Sequence, residues 1–210
     1  MPLHRRTGQL FVISAPSGVG KTTLVRLLLQ ELPKLRFSVS CTTRPPRPGE
    51  ADGSDYHFIA TEAFLKGIEA GHFLEWAQVH GEYYGTDRRE LEEWLSTGND
   101  VLLDIDVQGA RQVRCLFPAA HNIFILPPSR ASLEQRLRAR GTESAAQIAV
   151  RLTAAGREMQ EAPWYDSIVI NDSLETAVAD LVAIIRAARC RQPFQAGRLR
   201  AILDFHPPPS

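Results

Sequence analysis

The chain has 210 residues, 44% of them hydrophobic and 23% charged. That is enough to bury a real core in one domain, with room for an inserted subdomain, and it sets aside disordered and fibrous classes. Lys plus Arg number 24 and Asp plus Glu also number 24, so bulk electrostatics favours neither a nucleic-acid partner nor an anionic membrane surface.

Residues 1–8 are basic and lead into an apolar run of only four residues. That is too short for a signal peptide, and no stretch is long and apolar enough to span a membrane, so the expectation is a cytoplasmic chain with no membrane partner. Leu10 to Ile13 reads as a buried strand. Ala15, Pro16, Ser17, Gly18, Val19, Gly20, Lys21 and Thr22 then fit the phosphate-loop pattern, with Ala15 where Gly is commoner, and Thr23 follows. Leu24, Val25, Leu27, Leu28 and Leu29 give the next segment one broad apolar helical face. The chemistry needs this order. Two glycines let the backbone approach an anion. The loop amides and free helix donors converge on phosphate oxygens. Lys21 can reach the β- and γ-phosphates, and the Thr22 hydroxyl can join a Mg²⁺ shell.

Phe37 to Thr42 reads as a strand by alternation. The proline-rich stretch after it holds Arg44 and Arg47 on a stiff loop. Asp55 to Ile59 looks like a strand, and Thr61 to Ala70 like a short helix capped by Thr61. Phe73 to His80 alternates, turns at Gly81 and returns through Tyr83, Tyr84, Gly85 and Thr86. The block 37–86 therefore reads as a small β-rich unit inserted between α/β elements. Asp87 to Ser96 is helical in character and closes at Gly98-Asn99.

Val101 to Asp106 is a buried strand ending in two acids. Asp104 suits a Mg²⁺ role beside a phosphate loop, whereas Asp106 better suits the cap of the following helix, Val107 to Leu116. His121 to Leu126 is another strand. Ser129 to Arg140 and Glu143 to Glu161 read as two helices, carrying Arg130, Arg136, Arg138 and Arg140, and then Arg151 and Arg157. Such a helix is either a solvated face or, opposite a phosphate loop, a closing lid. Ser167 to Ile170 gives one more strand, with Asn171 beyond its end, and Ser173 caps a long helix to about Cys190. The tail from Gln192 onward, with its prolines, is expected to be loosely held. Cys41, Cys115 and Cys190 form neither a metal-ligand spacing nor a disulfide framework. Five strands separated by helices imply an α/β fold with a mainly parallel sheet, and ligands bind beyond the carboxyl ends of such strands. The phosphate loop, Asp104 and Asn171 all fall there.

Taken together, the phosphate loop, Ser38–Glu50 with its two arginines, Gly53–Phe58, Phe73-Leu-Glu75-Trp-Ala, Tyr83-Tyr84-Gly-Thr86, Leu103–Gly109 and Arg140-Gly-Thr resemble guanylate kinase, in the family's order, over about residues 9–190. The phosphate loop is shared by many NTPases; the two-arginine loop followed by Glu-Trp-Ala and Tyr-Tyr-Gly-Thr is far more specific. The resemblance implies a P-loop nucleoside monophosphate kinase with a core (9–36, 87–127 and 162–190), a β-rich GMP-binding part (37–86) and a helical lid (128–161), with 191–210 as a tail. It implies transfer of the γ-phosphoryl group of Mg-ATP to GMP, ATP and GMP being the small-molecule partners.

The resemblance also implies residue roles. ATP would lie on residues 15–23, with Asn171 nearby. The GMP phosphate would be held by Arg44, Arg47, Tyr56 and Tyr84, and its guanine read by Ser40, Glu75, Thr86 and Asp106. Lys21, Arg136, Arg140 and Arg151 would neutralise charge on the transferring group. Thr22, and Asp104 through water, would serve the metal. Two rivals stand beside this reading: a kinase of another small phosphate acceptor, and a non-catalytic binding module of the kind built on guanylate kinase-like domains.

Overall fold

A computed structural model of the chain describes residues 8–79, 81–139 and 144–203. The chain opens with β1 (Leu10–Ser14), α1 (Lys21–Glu31), β2 (Leu35–Phe37), β3 (Cys41–Thr42) and β4 (His57–Phe58). It continues through α2 (Thr61–Glu69), β5 (Phe73–Val79), β6 (Glu82–Asp87), α3 (Arg88–Ser96) and β7 (Asp100–Asp104). Then come α4 (Val107–Leu116), β8 (His121–Leu126), α5 (Arg130–Ala139), α6 (Ala145–Met159), β9 (Ser167–Ile170), α7 (Leu174–Arg189) and α8 (Gln192–Leu203).

Two sheets organise these elements. The first is parallel throughout, in the order β2-β7-β1-β8-β9. Period-two alternation on its central strand feeds two cores. Phe11 and Ile13 pack with α1, α5, α6 and α7, whereas Leu10 and Val12 pack with Leu91 of α3 and with Ala110 and Val113 of α4. Helices thus cover both faces, and the carboxyl ends of the strands form a crevice.

The second sheet runs β4-β3-β6-β5, and β5 and β6 form the hairpin expected around Gly81. Its small core lies under α2, where Phe64 stacks on Phe73 with ring centroids 4.2 Å apart. Gly67 leaves room for that ring.

Four local expectations are revised. The single strand over 37–42 is two strands in different sheets. The Ser38 amide still donates to the Leu102 carbonyl (3.0 Å) in the first sheet, while the Ser40 carbonyl already accepts from His57 in the second (2.9 Å). Alternation looks the same on both sides of such a crossing. The strand over 55–59 shrinks to His57–Phe58, because Asp52 and Asp55 accept amide hydrogens within the preceding loop and at Phe58. Thr61 is not the cap of α2: that position is Ala60, with no side-chain hydrogen bond. The tail, through Leu203, is helical. Pro193 lies in its first turn, where a missing amide hydrogen costs nothing.

Other boundaries follow their chemistry. Asp87, Asp106, Ser144 and Ser173 each accept an amide hydrogen in the first turn of the helix they precede. Asp106 is therefore the cap that its position suggests.

Candidate active site

The loop over residues 15–20 joins the carboxyl end of β1 to α1. Gly18 has φ +95° and Gly20 has φ +100°, a region L side chains rarely occupy. Gly18 is also pressed by α5, since a Cβ there would lie 2.7 Å from a Leu137 methyl. The loop is held from behind as well. The Val19 carbonyl accepts from Asn171 Nδ2 (2.7 Å) and from Arg136 Nη1 (3.1 Å), and Arg136 Nη2 donates to the Asn171 carbonyl (2.9 Å). Arg151 of α6 donates to the Ser17 hydroxyl (2.6 Å).

Lys21, at the head of α1, forms an ion pair with Asp104 at the end of β7. Burial pulls the Lys21 pKa down, but the Asp104 charge and hydrogen bond outweigh it, aided by Tyr56 and Asp106, so the ammonium stands above its ordinary value.

The opposite wall comes from the second sheet. Glu75 lies directly across from Thr86 in the β5–β6 register, just past an irregularity that puts one extra residue on β5. This bulge explains why Phe73, Leu74 and Glu75 are all buried, which simple alternation forbids. Glu75 is only 4% exposed, and its Oε1 accepts the Thr86 hydroxyl hydrogen (2.6 Å). Burial drives its pKa up; the Thr86 hydrogen bonds oppose this and the Asp106 charge adds to it, leaving Glu75 pushed up to about 7.

The arginine loop is organised by Glu50. Its two oxygens take Arg44 Nη1 and Nη2 at 2.6 Å each, and the Arg47 amide donates to it at 2.7 Å. The Arg44 bond holds the Glu50 carboxyl down to about 2. Arg44 also lies over the Tyr56 ring, 4.9 Å from its centroid, and Tyr56 packs edge-on against Tyr84.

Both walls face one cavity of about 460 Å³. The phosphate loop, Lys21, Thr22, Asp104, Asp106 and Arg151 border it on one side, and Ser40, Arg47, Tyr56, Glu75 and Tyr84 on the other. The phosphate loop and the buried acid therefore share a single space.

A protein-family model described as guanylate kinase matches residues 7–188. The chain is 53% identical to a guanylate kinase of Symbiobacterium thermophilum, covering 90% of this chain and 89% of that one. It is 51% identical to a guanylate kinase of Nitratidesulfovibrio vulgaris, covering 96% and 99%. A crystal structure of guanylate kinase from Anaplasma phagocytophilum superposes with a TM-score of 0.78 at 30% identity, covering 97% of this chain and 100% of that one. This chain belongs to the guanylate kinase family.

Not every residue that the guanylate kinase resemblance singles out borders the cavity. Val19 is fully buried, its side chain in the core and its carbonyl taken by Asn171 and Arg136. Asn171 and Arg136 stand behind the loop, Thr86 stands behind Glu75, and Arg44 is buried against Glu50 and Tyr56. Arg140 lies outside the described residues. Glu50 carries no role in the sequence reading, yet it ties both arginines of its loop together. Its sequence signal was its place, three residues after Arg47 and just past Gly49 (φ +89°), where a tight turn returns the chain.

Proposed function

We propose that the chain transfers the γ-phosphoryl group of Mg-ATP to GMP, giving ADP and GDP, and so serves purine nucleotide recycling. Family membership gives the enzyme class and the reaction. The supporting observation is the shared cavity, with a phosphate loop on one wall and a buried acid with hydroxyls on the other.

In this reading ATP phosphates lie on residues 15–23. Arg136 and Asn171 act on them through the Val19 carbonyl, and Lys21, Arg151 and Arg140 neutralise charge on the group in transit. The GMP phosphate meets Arg47, Tyr56, Tyr84 and Arg44. Its anionic oxygen is already a nucleophile, so no side chain need take a proton from it. Catalysis is then positioning plus charge stabilisation.

Guanine presents two donors, N1–H and the 2-amino group, beside one acceptor, O6. Ionised Glu75 would accept from both donors, and Ser40 would donate to O6. Thr86 spends its proton on Glu75 and so acts through that acid, while Asp106 borders the same edge. Adenine would set an acceptor against Glu75, and a mispaired buried group costs about 1–3 kcal/mol.

For the metal, the donor set fits Mg²⁺. The Thr22 hydroxyl and the Asp104 carboxylate are hard oxygen groups at the cavity wall. Among the described residues no cluster of three His, Cys, Asp or Glu could hold an ion, which suits a metal carried in on nucleotide phosphates. Thr22 would ligate it and Asp104 would act through water, and the bound ion would supply positive charge to the nucleotide phosphates.

The segments 9–36, 87–127 and 162–190 are read as the core, 37–86 as the GMP-binding part and 128–161 as the lid. Among the described residues no helix is long and apolar enough to cross a membrane.

An acceptor panel in an ADP-release assay tests the proposal. GMP should support turnover, only with Mg²⁺, and AMP, CMP and UMP should not. Equal use of AMP, or ADP release independent of acceptor, would overturn it.

A further inference from the structure

Strand β5 is the outer strand of the second sheet, so its free edge carries backbone groups with no ladder partner. One side chain meets them. Gln112, on α4 of the other sheet's layer, donates from Nε2 to the Trp76 carbonyl (2.7 Å) and accepts at Oε1 from the Trp76 amide (3.3 Å). A single carboxamide thus makes the paired bonds that a neighbouring strand would make. Trp76 is the residue next to Glu75. Trp76 is 38% exposed, and the contact is made to its backbone.

The rest of that helix face serves the same strand. Asp106, the cap of α4, borders the cavity. One turn on, Gly109 faces Glu75 itself: a Cβ there would lie 2.3 Å from Glu75 Oε2 and 3.0 Å from its Cδ. One turn further on comes Gln112. Residues spaced by three share a helix face, so α4 presents an acid, a gap and a clip in succession along the edge that carries Glu75. The helix is anchored to the first sheet by a different face, through buried Ala110 and Val113. Gln112 is therefore not the sole tie that holds α4 in place.

We infer that Gln112 is a positioning residue for the nucleobase: it clips the free edge of β5 to α4 and so sets the depth and direction of Glu75 against Asp106. The inference rests on the reading of Glu75 as the group that meets guanine. Without the clip, β5 can shift outward, water can reach Glu75, and the acid and Asp106 no longer meet one purine edge in register.

Gln112→Met keeps the volume and removes both hydrogen bonds; Gln112→Glu keeps only the accepting half. Gln112→Met should raise KM for GMP about tenfold, the size expected for paired hydrogen bonds. KM for ATP should not change, and kcat should fall far less than KM rises. The pH midpoint of the GMP KM should move down, because a better-hydrated Glu75 ionises more easily. Gln112→Glu, which sets a carboxylate oxygen against the Trp76 carbonyl, should be impaired for GMP at least as much as Gln112→Met.

A wild-type KM and pH midpoint in Gln112→Met would overturn the inference, as would parallel losses for both nucleotides, which mean general damage. Glu75→Gln run alongside separates the two claims. If it leaves GMP unaffected, the reading of Glu75 fails. If it weakens GMP and Gln112→Met does not, only the role of Gln112 fails.

Discussion

The Lys21 ammonium and the Asp104 carboxylate meet across the carboxyl ends of β1 and β7 and close the floor of the cavity. Each is partly exposed to that cavity, at 23% and 18% of its side chain. The pair therefore sits where a triphosphate would arrive, and Asp104 keeps access to water if its partner is removed.

Lys21→Ala should consequently cost catalysis and spare the fold. Turnover should fall by about a thousandfold or more, since a positioned cation at a developing charge is among the largest single contributions to such rates. The melting temperature should stay within a few degrees of wild type. A coupled assay and a thermal melt check both, and near-normal turnover would take the loop out of the mechanism.

Glu75 gives a pH signature. Its pKa in the folded chain is about 7, against a reference of 4.5. The folded state thus holds this proton more tightly than the unfolded chain does. The stability it contributes is full below about pH 4.5 and is lost as pH rises through 7. Glu75→Gln should therefore gain in melting temperature, relative to wild type, between pH 5 and pH 8. In the proposed reading guanine meets the ionised acid, so GMP should bind more tightly from pH 6 to pH 8 and release a proton as it binds. Calorimetry in buffers of different ionisation enthalpy measures that proton. Glu75→Gln should lose both the proton release and most GMP affinity while keeping ATP affinity.

Arg44 and Glu50 make a two-bond fork that a lysine cannot reproduce. Arg44→Lys should raise KM for GMP at least tenfold and leave KM for ATP unchanged, because the fork also holds the Arg47 amide and the Tyr56 ring in place. Steady-state kinetics with each substrate varied in turn provides the check, and a proportional rise for ATP would contradict it.

Asn171→Ala removes one of two donors to the Val19 carbonyl. One such buried bond is worth about 1 kcal/mol net. The expected result is a several-fold rise in KM for ATP with KM for GMP unchanged, together with a loss of melting temperature of a few degrees. An unchanged ATP KM would separate the loop's posture from this residue.

The parallel character of the first sheet, the phosphate loop and the caps at Asp106 and Ser173 were legible because each has a local pattern: a strand-loop-helix sequence, an apolar period, an acid or serine before a helix. The passage between sheets at Ser38–Ser40 was not, since alternation continues unbroken through it. Nor was the helix over Gln192–Leu203, whose Pro193 reads as an end but is tolerated in a first turn. At the site, Glu75, Arg44 and Arg47 stood out by motif, whereas Glu50 and Gln112 did not. Their partners are a side chain across a turn and a backbone 36 residues away, and no periodicity encodes such pairings.

Sequence alone settled the family and the set of candidate residues, because both are carried by short stretches of fixed spacing. Only the tertiary structure decided which of them face the cavity and which stand behind it. Burial of Glu75 against Gly109 and the grip of Asn171 on Val19 depend on segments far apart in the chain being packed together, the pairing of Arg44 with Glu50 depends on how one loop turns, and charge, dielectric and hydrogen-bond partners are properties of that packing.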